Sequence, residues 1–438
     1  MTNDYVTVVG AGLAGSEAAW QLIKRGIPVR LIEMRPAHTT PAHVTAGFAE
    51  LVCSNSLKAE HLTNASGLLK AEMKLFDSLI LRAAEEARVP AGGALAVDRE
   101  RFSAVVTETL ESHPLCQVTR ERVDDMPAAP CIVATGPLTD ERLAAAIARL
   151  PGMRALHFFD AEAPIVTAES IDMTRAFRAS RYGRGEGDDY INCPMTEAEY
   201  NAFYDALVSA ELADVHDFEK KLVFEGCLAV EILAGRGRMT LAFGPLKPVG
   251  LVDPHTGKQP FAVVQLRQDN AAGTLYNMVG FQTRLKWSEQ KRVFGLIPGL
   301  ERAEFARYGV MHRNTYLESP QVLAGNYALK ENPLIRFAGQ MTGVEGYVES
   351  AASGMTAAIG LAMRLQGREE IRLSGQTIMG ALMRHTVTPA SDFQPMNANF
   401  GILDPLDARI RGGKKARYER LSQRALETMK ETIEKYNP

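Results

Sequence analysis

The chain has 438 residues, of which 46% are hydrophobic and 23% charged, and 49 basic against 52 acidic side chains give a net charge of −3. At about 100–200 residues per domain, this length predicts two or three domains of ordinary globular composition. A membrane-spanning protein is excluded because no apolar run reaches the roughly 20 residues that such a helix needs. The near-neutral balance also provides no global field that would attract a polyanion.

The cysteine pattern argues against disulfides and metal sites. An odd number of cysteines, none within three residues of another, favours neither paired disulfides nor a zinc site nor a C-x-x-C redox pair. No metal is therefore expected. Because the first five residues lack the basic segment of a secretory signal, the cytoplasm is the expected compartment. The five cysteines are Cys53, Cys116, Cys131, Cys193 and Cys227.

The first residues follow the pattern of a dinucleotide-binding unit. The β-branched run 5–9 predicts a strand, Gly10 to Gly15 match G-x-G-x-x-G, and helical apolar spacing follows. A second predicted strand, 29–32, ends in Glu33, where a carboxylate can accept hydrogen bonds from a ribose. The alternative is a glycine turn that packs an ordinary α/β unit.

Each glycine of this motif has a physical purpose. Gly10 allows the tight turn, Gly12 lets the backbone approach a pyrophosphate, and Gly15 lets the helix pack on the strand. The N-terminus of the helix favours the negative charge of the phosphates. These residues alone leave open whether the dinucleotide is FAD or NAD.

Two later segments favour FAD. The run 131–133 predicts a buried strand that enters a turn at Gly136. Near the C-terminus, a predicted strand ending at Phe337 precedes a glycine-rich turn and a helix of small residues from Glu349 to Leu361. Such a helix would direct its N-terminal N–H groups at a flavin.

The predicted fold is α/β, with a Rossmann-like FAD-binding domain that is split by an insertion. Its first part covers residues 1–165, and its second part, ending in a basic helix, covers residues 324–438. An α/β substrate domain occupies residues 166–323. This division follows from the dinucleotide-binding segments at both ends of the chain.

Two cysteines stand in settings that suit chemistry. Cys53 lies in a polar segment near Lys58, which can favour a thiolate, and Cys227 lies between Gly226 and nearby glutamates. For both, a buried structural cysteine is the alternative, as we expect for Cys116 and Cys131.

A histidine and two basic clusters complete the candidates. His312 has polar neighbours and can stack on a ring or carry a proton, although a structural histidine is the alternative. Arg284 with Lys286, and Lys414 with Lys415, belong to basic clusters that form either solvated faces or a surface that follows phosphates.

Together these segments resemble the family of folate- and FAD-dependent tRNA (uracil-5-)-methyltransferases known as TrmFO. The resemblance covers nearly the whole chain. Its blocks are Gly10–Ala19, Glu33–Pro36, Val52–Leu57, Pro90–Arg99, Ala134–Thr139, Asn192–Met195, Phe243–Leu251, Val264–Gln268, Val279–Thr283, Met311–Thr315, Gly343–Tyr347 and Phe393–Asn397.

The resemblance implies a methyltransferase that forms 5-methyluridine at the T-loop uridine (U54) of tRNA. The one-carbon unit would come from 5,10-methylenetetrahydrofolate, and FAD, reduced by NADPH or NADH, would supply the electrons. The insertion domain would bind folate and tRNA. Residues 10–15 and the following positions would then contact FAD: Gly10, Ala11, Gly12, Leu13, Ala14, Gly15, Glu33, Arg35, Gly136, Gly339, Gln340, Gly343, Glu345, Gly346 and Tyr347.

The family pattern also implies roles for the candidate side chains. Cys227 would attack C6 of the uracil, and Cys53 would assist near the flavin by protecting or exchanging with the one-carbon unit. His312 would stack on the folate ring, and Arg284, Lys286, Lys414 and Lys415 would contact RNA. The same chemistry on ribosomal RNA, a flavin oxidoreductase acting on a small molecule, and a non-catalytic RNA-binding factor remain as alternatives.

Overall fold

The computed structural model describes residues 4–40, 42–153, 155–185, 187–213, 228–390, 393–407 and 410–438. The strands in these ranges are β1 (Val6–Val9), β2 (Val29–Glu33), β3 (Ser56–Ala59), β4 (Arg88–Val89), β5 (Ala94–Val97), β6 (Cys116–Arg120), β7 (Cys131–Val133), β8 (Ala155–Ala161), β9 (Ile165–Thr167), β10 (Phe177–Arg178), β11 (Tyr190–Met195), β12 (Ala262–Gln268), β13 (Leu275–Met278), β14 (Phe305–Arg307), β15 (Met311–Leu317), β16 (Leu323–Ala324), β17 (Ala328–Leu329) and β18 (Ile335–Phe337).

The α-helices lie between and after these strands. They are α1 (Leu13–Ile23), α2 (Ala65–Lys74), α3 (Leu79–Glu86), α4 (Arg99–Glu111), α5 (Glu141–Ala148), α6 (Glu197–Val208), α7 (Val230–Gly235), α8 (Thr240–Phe243), α9 (Trp287–Phe294), α10 (Ser319–Val322), α11 (Tyr347–Leu365), α12 (Ile378–Val387) and α13 (Gly413–Tyr436). Within the described residues, no helix is both long and apolar enough to cross a membrane.

The largest sheet draws its strands from both ends of the chain. Its spatial order is β16-β17-β18-β7-β1-β2-β6, and the five strands from β18 to β6 run parallel. The apolar sequence of β1 is buried along its whole length, as expected for a central parallel strand covered on both faces. The α/β, Rossmann-like fold expected from the sequence is therefore confirmed.

Helices α1 and α11 pack closely in this part of the molecule. A methyl group on Gly354 of α11 would lie 2.1 Å from the carbonyl oxygen of Ala14 in α1. Small residues at this crossing let the two backbones approach each other, so both helices begin near the same edge of the sheet.

The middle of the chain forms a second sheet, in which all pairs are antiparallel. Its order is β10-β11-β12-β13-β9-β14, and its core includes Tyr200, Phe203, Phe281 and Phe294. Strands β8 and β15 form a separate antiparallel pair. In the chain, β8 precedes the strands of the second sheet and β15 follows them. The division into an inserted domain and its boundaries at 165/166 and 323/324 stay a prediction.

Candidate functional site

A cavity of about 360 Å³ opens where β1, β2 and β7 end and where α1 and α11 begin. Parallel sheets bind ligands at this edge, beyond the carboxyl ends of their strands. Most of the predicted cofactor residues contribute to its wall. They are Gly10, Gly12, Leu13, Ala14, Glu33, Arg35, Gly136, Gly339, Gln340, Glu345, Gly346 and Tyr347, together with Cys53.

The glycine turn after β1 has the geometry that its motif requires. Gly10 adopts φ +93°, and a methyl group there would lie 2.6 Å from the carbonyl oxygen of Ala134. A methyl group on Gly15 would lie 1.7 Å from the Gly10 carbonyl oxygen, whereas one on Gly12 would meet no protein atom within 4 Å. Gly10 and Gly15 therefore serve the fold, while Gly12 leaves room that a ligand can fill.

The carboxylate of Glu33 is held by the turn and by Arg35. It accepts hydrogen bonds from the Ala11 N–H at 2.9 Å and from the Arg35 backbone N–H and guanidinium at 2.9–3.3 Å. Burial would raise the pKa of Glu33, but the hydrogen bonds and charge of Arg35 outweigh it and lower that pKa. A second buried carboxylate, Glu50, accepts from Arg35 Nη1 at 2.8 Å. This network braces the turn that α1 follows.

Helix α11 also starts at the wall of the cavity. Its N-cap is Gly346, which adopts φ +114° and offers no capping side chain, and Gly339 in the preceding turn adopts φ +84°. Gln340 Nε2 donates to Glu345 Oε2 at 2.5 Å across this turn. The N-terminal N–H groups of a 19-residue helix are thus presented at the cavity without a side-chain cap.

The segment that carries Cys53 is fixed by Tyr347. Tyr347 Oη accepts from the backbone N–H groups of Cys53 at 2.8 Å and Ser54 at 3.2 Å. Burial and, to a lesser degree, the neighbouring Cys53 raise the pKa of Tyr347 well above its ordinary value. The phenol therefore keeps its proton and can donate it as well.

Two arginines hold the same segment from the other side. Arg99 Nη1 donates to the carbonyls of Leu51 at 2.5 Å and Val52 at 3.1 Å. Arg267, on β12 of the second sheet, donates to Ser54 Oγ at 2.7 Å and to Asn55 Oδ1 at 2.9 Å. Cys53 thus lies at the cavity wall in a segment that the second sheet also holds, through Arg267.

Three further cysteines of the described residues are buried, whereas Cys53 is partly exposed. Burial raises the pKa of Cys116 to about 11 and those of Cys131 and Cys193 to about 12. Their thiols stay protonated near neutral pH, so they act as small apolar side chains. Among the described residues, no group of three or more His, Cys, Asp or Glu side chains is arranged to hold a metal ion.

The remaining predicted residues lie elsewhere or outside what can be described. Cys227 is outside the described residues, and so is the side chain of His312, whose backbone belongs to β15. Gly343 adopts φ +86° and packs against Phe393, so its role is in the backbone conformation of its own turn. The Arg284 side chain is 18% exposed and lies 3.8 Å from Glu231, while Lys286 pairs with Glu211. Lys414 and Lys415 occupy the first turn of α13.

Several wall residues were not anticipated from the sequence. Gln282 and Asn314 reach the cavity from the chain around the second sheet, and Lys58 reaches it from β3. Only Lys58 carried a local signal, its position five residues after Cys53. The other two depend on how distant segments meet, which no short motif encodes.

The parallel sheet, the glycine turn and the two helix starts on one cavity define a dinucleotide-binding α/β protein. The family of glucose inhibited division protein A matches residues 5–369. The chain is 59% identical over 437 residues to the methylenetetrahydrofolate–tRNA-(uracil-5-)-methyltransferase TrmFO of Acetivibrio thermocellus, covering 99% of this chain and 100% of that one. It is 60% identical to the TrmFO of Desulforamulus reducens, covering 99% of each chain. The chain belongs to the TrmFO family.

A solved structure supports the same fold. GidA of Aquifex aeolicus superposes with a TM-score of 0.71 over 99% of this chain and 74% of that one, at 15% identity. A second crystal form of that protein gives a TM-score of 0.70. At this level of identity the likeness concerns the fold alone.

Proposed function

We propose that the protein is a methylenetetrahydrofolate-dependent tRNA (uracil-5-)-methyltransferase that uses FAD and is reduced by NADPH or NADH. The observation that carries this proposal is the cavity that brings a dinucleotide motif together with Cys53, in a chain 58–60% identical to TrmFO proteins along nearly its full length. The proposal places the enzyme in the cytoplasm, with its RNA substrate.

The residues present fit an FAD molecule. Gly12 leaves space beside the start of α1 for a pyrophosphate, and Gly136 likewise meets no protein atom farther along the wall. Glu33 and Arg35 brace the nucleotide end, and the start of α11 suits an electron-rich ring edge. When bound, FAD supplies the hydride that reduces the transferred one-carbon unit to a methyl group.

Cys227 is proposed as the nucleophile toward uracil. Its thiolate would form a bond to C6, which makes C5 nucleophilic toward the one-carbon unit, and would leave again when C5 loses its proton. The net change is replacement of the C5 hydrogen by CH₃, with release of tetrahydrofolate and oxidation of the flavin by two electrons.

The described end of the Cys227 segment supports this role. The Val230 N–H donates to the carbonyl of Gln282 at 2.7 Å, and Gln282 belongs to the cavity wall. The chain three residues after Cys227 is thus anchored to a residue of the cavity wall. The next residue, Glu231, accepts hydrogen bonds from Thr283 Oγ1 at 2.9 Å and from the Arg284 N–H at 3.0 Å.

Cys53 is proposed to act at the flavin end of the cavity, where it protects or exchanges with the one-carbon unit. Its backbone is fixed by Tyr347, and its neighbours by Arg99 and Arg267, so a thiol is held against the wall. A fixed thiol in a closed site limits the loss of a reactive one-carbon unit to water.

The RNA contacts are proposed from charge and exposure. Lys414 and Lys415 stand in the first turn of a 24-residue helix, where the helix dipole disfavours cations, and the Lys415 side chain is 80% exposed. Two exposed lysines at such a position suit a polyanion, and we assign them, with Arg284 and Lys286, to the T arm of tRNA. His312 is assigned to the folate ring.

One incubation tests the proposal. The purified protein is mixed with an unmodified tRNA transcript, methylenetetrahydrofolate labelled in its methylene carbon, and NADPH, and nucleosides are analysed for labelled 5-methyluridine. We expect product at the T-loop uridine, none with Cys227→Ala, and a strong reduction with Cys53→Ala. Cys193→Ala is the matched control and should retain activity.

The alternatives predict other results from the same assay. Product on ribosomal RNA but not on tRNA would identify a different RNA substrate. NADPH oxidation that needs neither RNA nor folate, without any labelled nucleoside, would instead favour a small-molecule oxidoreductase. Equal product from the Cys227→Ala variant would contradict the assigned nucleophile.

A further inference from the structure

A lysine and a buried glutamate form an ion pair at the cavity wall that the roles above do not use. Lys58 Nζ lies 2.8 Å from Glu349 Oε1, and the Glu349 side chain is fully buried while that of Lys58 is 41% exposed. Glu349 Oε1 also accepts from the Ala398 N–H at 3.1 Å. Lys58 belongs to the wall of the cavity.

The backbone around this pair is unusual. Lys58 adopts φ +64° in β3, a backbone conformation that residues other than glycine rarely adopt. Gly346 adopts φ +114°, and a methyl group there would lie 2.7 Å from Lys58 Nζ and 2.2 Å from Glu349 Oε2. These two backbone conformations bring the ammonium group of Lys58 close to the start of α11. Such local strain is a common feature of functional sites.

The pair lies at the end of the cavity that suits the redox-active ring. The glycine turn and Glu33 occupy the end where a pyrophosphate and an adenosine ribose fit. A bound FAD would then extend its ring toward the part of the wall that includes Cys53, Gly346 and Tyr347. Lys58 stands on that wall, five residues after Cys53.

Of this ion pair, Lys58 lines the cavity and Glu349 does not, so the positive end of the pair faces the ligand space. The start of α11 contributes the equivalent of about half a positive charge, and the ammonium of Lys58 contributes a full one at the wall. Glu349 opposes them from behind, and one of its oxygens has no hydrogen-bond partner within the part of the chain that the structure describes. A buried carboxylate is costly unless it is paired, so Glu349 keeps Lys58 where it is.

We propose that Lys58, positioned by Glu349, is the electrostatic group that favours the reduced, negatively charged form of the flavin. This inference rests on the FAD binding of the proposed function and adds a residue to it. A cation near the ring stabilises the extra negative charge after two-electron reduction, and the low-polarity wall strengthens that interaction. Lys58 then sets how readily the enzyme accepts electrons from the nicotinamide.

The test compares FAD-loaded full-length variants. Lys58→Met and Lys58→Gln remove the charge, Lys58→Arg keeps it, and Lys74→Met is the control, because Lys74 also pairs with a glutamate at 2.8 Å but does so with Glu85, outside the cavity. Two quantities are measured anaerobically: the flavin midpoint potential, and the affinity for sulfite, which adds to oxidised flavin and leaves a negative charge on the ring.

We expect both neutral variants to bind sulfite at least tenfold more weakly and to shift the potential at least about 30 mV more negative, the equivalent of tenfold for a two-electron couple. Lys58→Arg should stay within threefold of the unsubstituted enzyme, as should Lys74→Met. Sulfite affinity and potential unchanged in Lys58→Met and Lys58→Gln would overturn the inference. Loss of FAD from both neutral variants, with Lys58→Arg intact, would also overturn it, because the charge would then serve binding.

The outcome can be separated from that of the proposed function. A flavin-containing protein that forms no 5-methyluridine, yet shows the Lys58 effect, would refute the methyltransferase proposal and support this inference. A protein that forms 5-methyluridine with the same potential in all variants would do the reverse.

Discussion

Helix starts in the parallel-sheet part of the molecule differ in what accepts the hydrogen bonds of their first N–H groups. Helices α1 and α11 begin at the cavity with glycine N-caps, Gly12 and Gly346, that offer no capping side chain. Helices α3 and α12 begin inside the protein, where buried carboxylates accept their first N–H groups. At α1 and α11, the lack of a capping side chain coincides with a cavity, and this combination suits an anionic ligand.

At the starts of α12 and α3, buried carboxyl groups from other helices accept the first backbone N–H groups. Glu72 of α2 accepts from the N–H groups of Ile378 at 2.8 Å and Met379 at 2.9 Å at the start of α12. Glu17 of α1 accepts from the Ile80 N–H at 3.0 Å, beside the N-cap Ser78 of α3. At the cavity, by contrast, the nearby carboxylate Glu33 is neutralised by Arg35, which leaves the start of α1 open to a phosphate.

The largest expected effect separates two glycines of the same motif. In Gly15→Ala the new methyl group would meet the Gly10 carbonyl oxygen at 1.7 Å, so we expect a loss of about 3 kcal/mol or more in the free energy of unfolding. In Gly12→Ala the protein offers open space, so stability should change by less than about 1 kcal/mol while FAD affinity falls at least tenfold. Urea unfolding and FAD titration measure both. Equal FAD affinity in Gly12→Ala would contradict the idea that its space belongs to a ligand.

The fold was predicted correctly from the sequence, and the glycine turn and Glu33 lie at one cavity as predicted, because both rest on local signals. The strand, the glycine turn and Glu33 lie within thirty-four residues of the start, and each has a fixed backbone purpose. The flavin end needs segments that are far apart: Tyr347 holds Cys53 across 294 residues, and Arg267 holds Ser54 across 213. Neither contact has a spacing that a single sequence could display.

The next effect concerns the neutralised carboxylate at the start of α1. Arg35→Met would leave Glu33 and Glu50 buried without their cation, so we expect a loss of about 3–5 kcal/mol in the free energy of unfolding and weaker FAD binding. Arg30→Met, on the same strand, is the control: it breaks an exposed pair with Glu121 and should cost less than about 1 kcal/mol. Comparable losses in both variants would show that Glu33 does not need Arg35.

A smaller, pH-dependent effect is expected at the start of α12, where the carboxyl group of Glu72 accepts the first N–H groups. Burial raises the pKa of Glu72 to about 8 from an ordinary value of 4.5. Between these values the folded protein holds a proton that the unfolded chain does not, so this group stabilises fully below pH 4.5 and the benefit is lost as pH rises to about 8. Glu72→Gln should therefore cost about 1–3 kcal/mol at pH 5, because the amide NH₂ cannot accept an N–H, and less at pH 8. Urea unfolding at both pH values tests this; the same difference at each would contradict it.

The smallest effect is expected at the start of α3, where groups of the protein itself accept the first N–H groups. Ser78 Oγ accepts from the Leu81 N–H at 3.2 Å and donates to Glu17 Oε2 at 2.7 Å. Ser78→Ala should cost about 1–2 kcal/mol of unfolding free energy through the lost cap and leave FAD affinity unchanged, since this start is buried away from the cavity. Burial already raises the pKa of Glu17, and the Ser78 hydrogen bond opposes that rise. The variant should therefore lose stability more steeply as pH increases from 5 to 8. An altered FAD affinity would contradict this prediction, because it would mean that the start of α3 affects the cavity through α1.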